Sequence, residues 1–199
     1  MTYFFSALFA SAAAFTLGSI PFGLLIGKIF CGIDPRSAGS GNVGATNVAR
    51  LCGTVWGALT LLCDVLKGLL PIFLYASFSG TSDSFVYCLG LASICGHVYS
   101  LFLGGKGGKG VATTVGVFLA FAPVQLAVAG LACLAVIWRS GFVSAGSITL
   151  VALMPLIFLC SGRWTDALFS LLVAALILHT HRENIRRLIR GEEKSWLKR

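Results

Sequence analysis

Acidic side chains are scarce in this sequence: 7 in 199 residues, beside 15 lysines and arginines, for a charged fraction of 11%. A soluble domain carries about 25%, so an ordinary water-soluble globule is excluded. The few carboxylates form no convincing catalytic pair, and no Ser-His-Asp arrangement occurs. Histidine is rare as well, with 3 residues. Two of these, His179 and His181, stand at i and i+2, which point to different faces of a helix and cannot grip one metal ion. The seven cysteines include no CxxC pair and fall mostly in apolar runs. They read as small hydrophobic residues, not as disulfides or metal ligands. No metal and no cofactor is expected.

What fills the chain is apolar: 57% of residues are hydrophobic and the mean hydropathy is +0.90. The first run has no basic segment ahead of it and continues to about Phe30, so it reads as a membrane span, not a cleavable signal peptide. Ser19-Ile20-Pro21 interrupts it, and Gly23 and Gly27 offer a small-xxx-small pair for close packing. Further runs cover Leu51–Phe78, Phe85–Leu103, Val111–Trp138, Phe142–Cys160 and Trp164–Thr180. Counting Val111–Trp138 once gives six spans; dividing it at Ala122-Pro123 gives seven, with two pieces short for spans. The positive residues decide, because cytoplasmic loops are enriched in Lys and Arg. Seven spans put Arg36, Arg50, Lys106, Lys109, Arg139 and the basic tail on one side, with Arg163 and Asp83 opposite. The expected fold is an all-α integral membrane protein. It is a seven-transmembrane-helix bundle with two short helices around Pro123, the N-terminus outside and the C-terminus in the cytoplasm. One membrane-embedded domain covers residues 1–199. The net charge of +8 then reports orientation, and nucleic acid is not an expected partner.

Two loops break the apolar pattern. Ser37-Ala-Gly-Ser-Gly-Asn-Val-Gly-Ala-Thr-Asn-Val-Ala-Arg50 is built from glycines, hydroxyls, amides and one guanidinium, the composition of a phosphate-binding loop. Gly39–Gly44 matches GxGxxG, with Asp64 20 residues beyond. It follows an apolar span instead of a strand, however, so a dinucleotide fold is rejected. Gly104–Gly110 fails the GxxxxGK[ST] pattern, yet it sets Lys106 and Lys109 among five glycines where a helix opens. Backbone N–H groups, a helix N-terminus and two ammonium groups suit an anion. At the far end, His181 and Asn184 share a helical face and precede an alternating basic and apolar stretch that suits the membrane surface. Asp64 and Lys67, at i and i+3 within a span, are expected to pair inside the bundle for structural reasons. His97 is read as a packing residue.

Taken together, the motifs Gly18-Ser-Ile-Pro-Phe-Gly23, Gly39–Asn47 with Arg50, Asp64-Val-Leu-Lys67-Gly68, Gly96-His97, Lys106–Thr113, Val143–Ile148 and His181-Arg-Glu-Asn-Ile185 resemble the bacterial acyl-phosphate:glycerol-3-phosphate acyltransferases of the PlsY type. The resemblance covers the chain from end to end. It implies transfer of a fatty acyl group from acyl phosphate to the 1-hydroxyl of glycerol 3-phosphate, giving lysophosphatidic acid and phosphate at the bacterial inner membrane. It further implies catalytic roles for Lys106, His181 and Asn184. Substrate would be bound by Ser40, Asn42, Thr46, Arg50, Lys109, Ser144 and Ser147. Acyl phosphate, glycerol 3-phosphate and membrane lipid are the expected partners of a monomeric enzyme. Two positions depart from the family pattern: Ser100 stands where proline is usual, and Gly105 where phenylalanine is usual. A transporter of a phosphorylated solute is the alternative that glycines and intramembrane charges would also fit.

Overall fold

The computed structural model describes residues 2–79 and 83–196, with side chains described for 6–77 and 85–196. Asp83 and residues 197–199 of the basic tail, both used in the topology count, therefore lie outside the described side chains. Every regular element among the described residues is helical. The chain divides into two compact units, Met1–Phe121 and Ala122–Arg199.

The first unit holds α1 (Thr2–Ser19), α2 (Phe22–Cys31), α3 (Ala45–Cys52), α4 (Thr54–Ser79), α5 (Asp83–Val98) and α6 (Val111–Phe121). Pro21 lacks an N–H and breaks the first run, leaving carbonyls at the break that need partners in an apolar setting. Both find one: the Ser100 hydroxyl donates to Ser19 O, and Lys67 Nζ donates to Ile20 O at 3.0 Å. Helices approach closely through glycine. A methyl group at Gly18 or Gly96 would strike the facing carbonyl across the α1–α5 contact. Gly68 and Gly116 do the same for α4 against α6. Gly23 and Gly27, expected to serve helix packing, chiefly admit the connecting loop: their methyl groups would meet Val43, Ile33 and Pro35, and only Gly23 also faces another helix, at Thr60 of α4. Ile94, Val48, Val117 and Phe118 form the interior, while Phe9 and Val55 stay about three-quarters exposed, as lipid-facing positions must.

The second unit holds α7 (Pro123–Ser140), α8 (Val143–Cys160), α9 (Trp164–Thr180) and α10 (Arg182–Ile189). Ala122, ahead of Pro123, takes φ −143° and ψ 51°, since a residue preceding proline avoids the helical region. The Val111–Trp138 run is thus divided where proline was expected to divide it. Its second piece is longer than anticipated, continuing to Ser140 because Gly141 ends it with φ 76°. Met154, Phe158, Val173 and Ile177 are fully buried between α8 and α9. Trp138 and Trp164, 80% and 71% exposed near helix ends, sit as interfacial tryptophans do. Helix α10 turns 64° away from α9.

Among the described residues five stretches are long and apolar enough to cross a membrane: Ser6–Cys31, Thr54–Ser77, Phe85–Leu103, Pro123–Ser140 and Val143–Cys160. Helix α9 qualifies only when joined to the bent α10, and α6, with 11 residues, is short.

Candidate active site

In the first unit the opening glycine loop is folded by one side chain. Asn47 is 2% exposed, and its Nδ2 donates to the carbonyls of Pro35 (2.9 Å), Asn42 (2.8 Å) and Ala38 (3.2 Å). Its Oδ1 accepts the Ser40 N–H at 2.8 Å, and a methyl group at Gly39 would collide with that oxygen. Asn42, expected to bind substrate, directs Oδ1 to the Gly44 N–H at 2.8 Å and so shapes the entry to α3. Asp34 holds Arg36 at 2.7 Å, and that guanidinium keeps the Asp34 carboxyl well below the usual carboxylate range. Arg36 is therefore committed to the loop's own fold. Ser40 and Arg50 are exposed, whereas Thr46 is half-buried. Thr46 and Arg50 stand at i and i+4 on α3 and share a face.

The second glycine loop rests on the end of α5. The His97 carbonyl accepts the Gly108 N–H at 3.0 Å, and that of Val98 accepts the Gly107 N–H at 2.9 Å. Gly104, Gly105 and Gly110 take φ of 60°, 80° and 88°, a region side chains avoid. At Gly105, one of the two departures from the family pattern noted above, glycine thus meets a definite backbone demand. Lys106 is exposed and Lys109 half-buried, to either side of the two seated glycines. Ser100, the other departure, supplies the hydroxyl on Ser19 O that a proline could not.

Beneath this loop lies a charged cluster in the apolar interior. Lys67 Nζ meets Asp64 Oδ1 at 2.7 Å with both side chains about 97% buried, and His97 Nδ1 lies 3.6 Å from the same oxygen. A lone charge in mid-span costs about 2.5–3.5 kcal/mol, so the pairing matches expectation. The third member, His97, goes beyond its reading as a packing residue.

The second unit carries the remaining site residues. His181 is 2% exposed at the α9–α10 junction. Its Nδ1 lies 2.9 Å from Ile177 O. A carbonyl can only accept, so Nδ1 carries the proton and a neutral ring presents Nε2 as an acceptor. Asn184 Nδ2 donates to Glu193 Oε1 at 2.6 Å. His181 and Asn184, which share a helical face in the sequence reading, thus each already spend a donor inside the protein. Ser144 Oγ also donates to Glu193 Oε1 at 2.6 Å, and Ser147 Oγ to Val143 O at 2.9 Å.

Glu193 is the residue the sequence reading missed. Its Oε2 further accepts Arg187 Nε at 2.7 Å. Burial resists its ionisation, but the hydrogen bonds from Ser144, Asn184 and Arg187, with the guanidinium charge, outweigh it and hold the carboxyl below its ordinary value. The chain returns there through a helix stop: Gly191 has φ 72°, its N–H donates to Leu188 O, and the Glu192 N–H donates to Arg187 O. That is a Schellman turn. The tail is then pinned by the Trp196 N–H on Gly141 O at 2.7 Å. A glycine two residues past an amphipathic stretch announces the stop, but nothing local announces where Glu193 lands.

Residues 8–191 match the family model described as glycerol-3-phosphate acyltransferase. The glycerol-3-phosphate acyltransferase of Nitratidesulfovibrio vulgaris is 58% identical over 188 residues, which are 94% of this chain and 57% of that protein. The chain thus spans little more than half the length of that relative. The enzyme of Lawsonia intracellularis is 51% identical, with 92% of each chain covered. Among solved structures, the integral membrane glycerol 3-phosphate acyltransferase PlsY in its glycerol 3-phosphate form matches with a TM-score of 0.90. That match has 41% identity over 96% of this chain and 95% of the other. Its lysophosphatidic acid form gives a TM-score of 0.88 at 40% identity. On these matches, which run along nearly the whole chain, the protein belongs to the glycerol-3-phosphate acyltransferase family.

Proposed function

We propose that this protein transfers a fatty acyl group from acyl phosphate to the 1-hydroxyl of glycerol 3-phosphate, releasing lysophosphatidic acid for phospholipid synthesis. The observation that carries the proposal is the end-to-end likeness, at 41% identity, to a PlsY solved in a glycerol 3-phosphate form. Acyl phosphate is a mixed anhydride with a good leaving group, so no protein nucleophile is required. The substrate hydroxyl oxygen bonds to the acyl carbon, the carbon–oxygen bond to phosphate breaks, and the hydroxyl proton leaves with a substrate phosphate.

The protein's task is then to hold two anions and orient one hydroxyl. Ser40, Asn42, Thr46, Arg50 and Lys109, with Lys106 as the catalytic cation, serve the phosphates from the first unit. Charged hydrogen bonds of this kind contribute about 1.5–3 kcal/mol each. In the second unit Ser144 and Ser147 assist binding. His181, whose Nδ1 donates to Ile177 O, and Asn184 orient the reacting hydroxyl. The protein works as a monomer in the bacterial inner membrane, with seven spans, the N-terminus outside and the site facing the cytoplasm. The break at Ala122-Pro123 and the clustering of basic residues support that topology.

The test uses purified full-length protein with palmitoyl phosphate and glycerol 3-phosphate. Phosphate release that depends on glycerol 3-phosphate is expected. Equal use of palmitoyl-CoA would overturn the donor assignment, and solute flux without chemistry would overturn the enzyme.

A further inference from the structure

Three buried ionisable groups, Asp64, Lys67 and His97, have no part in the mechanism above, yet they form a chain of contacts that ends on the second glycine loop. Lys67 Nζ bridges Asp64 Oδ1 at 2.7 Å and the Ile20 carbonyl at 3.0 Å. Asp64 faces His97 Nδ1 at 3.6 Å. The other side of the His97 ring is against the loop, where a methyl group at Gly108 would collide with Nε2. One residue earlier, a methyl group at Gly107 would strike the His97 carbonyl. The loop therefore sits as low as the ring allows, and the ring packs between the loop and the Asp64 carboxylate.

None of the three can reach a substrate. They are 2%, 2% and 6% exposed. The cavity they line with Ser100, Gly107 and Gly108 has a volume of about 10 Å³, and a single water needs about 10–15 Å³. Asp64 Oδ1 and His97 Nδ1 lack well-directed hydrogen-bond partners, so one water is the most that space could take. A phosphate does not fit.

We propose that Asp64, Lys67 and His97 are positioning residues: a buried relay from the break in the first span to the glycine loop, setting where Lys106 and Lys109 stand. The proposal rests on the reading of those lysines as phosphate ligands, and the experiment separates the two. Steady-state kinetics of the full-length protein with palmitoyl phosphate and glycerol 3-phosphate come first on Lys106→Ala and Lys109→Ala. These identify the substrate whose KM the loop controls. Asp64→Asn and His97→Gln should then raise that same KM roughly tenfold or more, leaving the other KM within about twofold. In a Lys109→Ala background, His97→Gln should cost much less than it does alone, because residues acting through one another are not additive.

A merely structural cluster would lower the yield of active enzyme and with it the apparent kcat, with neither KM moved; that result overturns the proposal. Should Asp64→Asn fail to fold, the Asp64→Asn/Lys67→Met double variant removes both charges at similar volume and offers the same KM readout. Loss of monodisperse protein in every variant would make the cluster a folding determinant only, and also overturns the proposal. If Lys106→Ala and Lys109→Ala leave both KM values in place, the phosphate reading of the loop fails and the relay falls with it.

Discussion

Glu193 and Glu192 are adjacent, chemically identical and differently placed, which makes them a controlled pair. Replacing Glu193 with alanine strands the Ser144 hydroxyl and the Asn184 amide, both more than nine-tenths buried. Each stranded donor costs about 1–3 kcal/mol, and with partial relaxation the sum is about 2–4 kcal/mol. The Arg187 contact adds little, since that guanidinium is 37% exposed and such pairs are screened. For a chain of this length each kcal/mol lowers Tm by roughly 2–4 °C, so a fall of roughly 5–15 °C is expected for Glu193→Ala. Glu192 is exposed, and Glu192→Ala should stay within about 1–2 °C of the parent. The sign of the pH dependence follows from the depressed Glu193 carboxyl. A carboxylate whose folded value lies below its unfolded one stabilises fully above the unfolded value, about 4.3. That contribution is lost as pH falls through the folded value. The gap between the parent and Glu193→Gln should accordingly be full at neutral pH and close in acid. Thermal melts of purified protein in detergent measure both effects. Equal Tm values for Glu192→Ala and Glu193→Ala would refute the placement of the tail.

Asn47→Ala should release the opening loop. The loss of several buried hydrogen bonds, at about 1 kcal/mol each, is expected to lower kcat/KM by roughly tenfold or more and to speed trypsin cleavage after the exposed Arg36. His181→Ala should lower kcat without removing a pH-rate limb near the ordinary histidine value of about 6.5; disappearance of such a limb would instead make His181 the general base. Gly68→Ala drives a methyl group into the Thr113 carbonyl across the α4–α6 contact and should cost about 1–3 kcal/mol. Gly130→Ala on α7 meets nothing within 4 Å and should be neutral or stabilise by up to about 1 kcal/mol, a contrast that paired melts resolve.

The sequence disclosed what depends on composition and local punctuation. Low charge and apolar runs made a membrane helix protein unavoidable, Pro21 and Pro123 marked breaks that the helices observe, and the i,i+3 spacing of Asp64 and Lys67 gave their pairing. It hid what depends on the return of distant chain. Asn47 was one amide among several in a polar loop, because nothing in its neighbourhood says that Pro35, Ala38 and Asn42 will converge on it. Gly23 and Gly27 carried a helix-packing signature but chiefly face a loop. His97 seemed a packing residue since Asp64 lies on another helix, and Glu193 drew no notice in a basic tail since nothing local says that it returns to α8. A motif names side chains without saying which donors the fold itself consumes, as Asn42, Ser144 and Asn184 show.

The break in the first span also imposes an order on biogenesis. A chain enters the bilayer from its N-terminus, so the Ile20 carbonyl is laid down 47 residues before the Lys67 ammonium that satisfies it. Until α4 arrives that carbonyl has only the tight local contact of the Phe22 N–H at 3.1 Å, in a setting where a poorly satisfied carbonyl is costly. The first span therefore gains the second donor at its break only from chain laid down later. It is completed by the helix two elements downstream, which brings Asp64 and Lys67 in as a pair and finds in the Ile20 carbonyl a further acceptor for the ammonium.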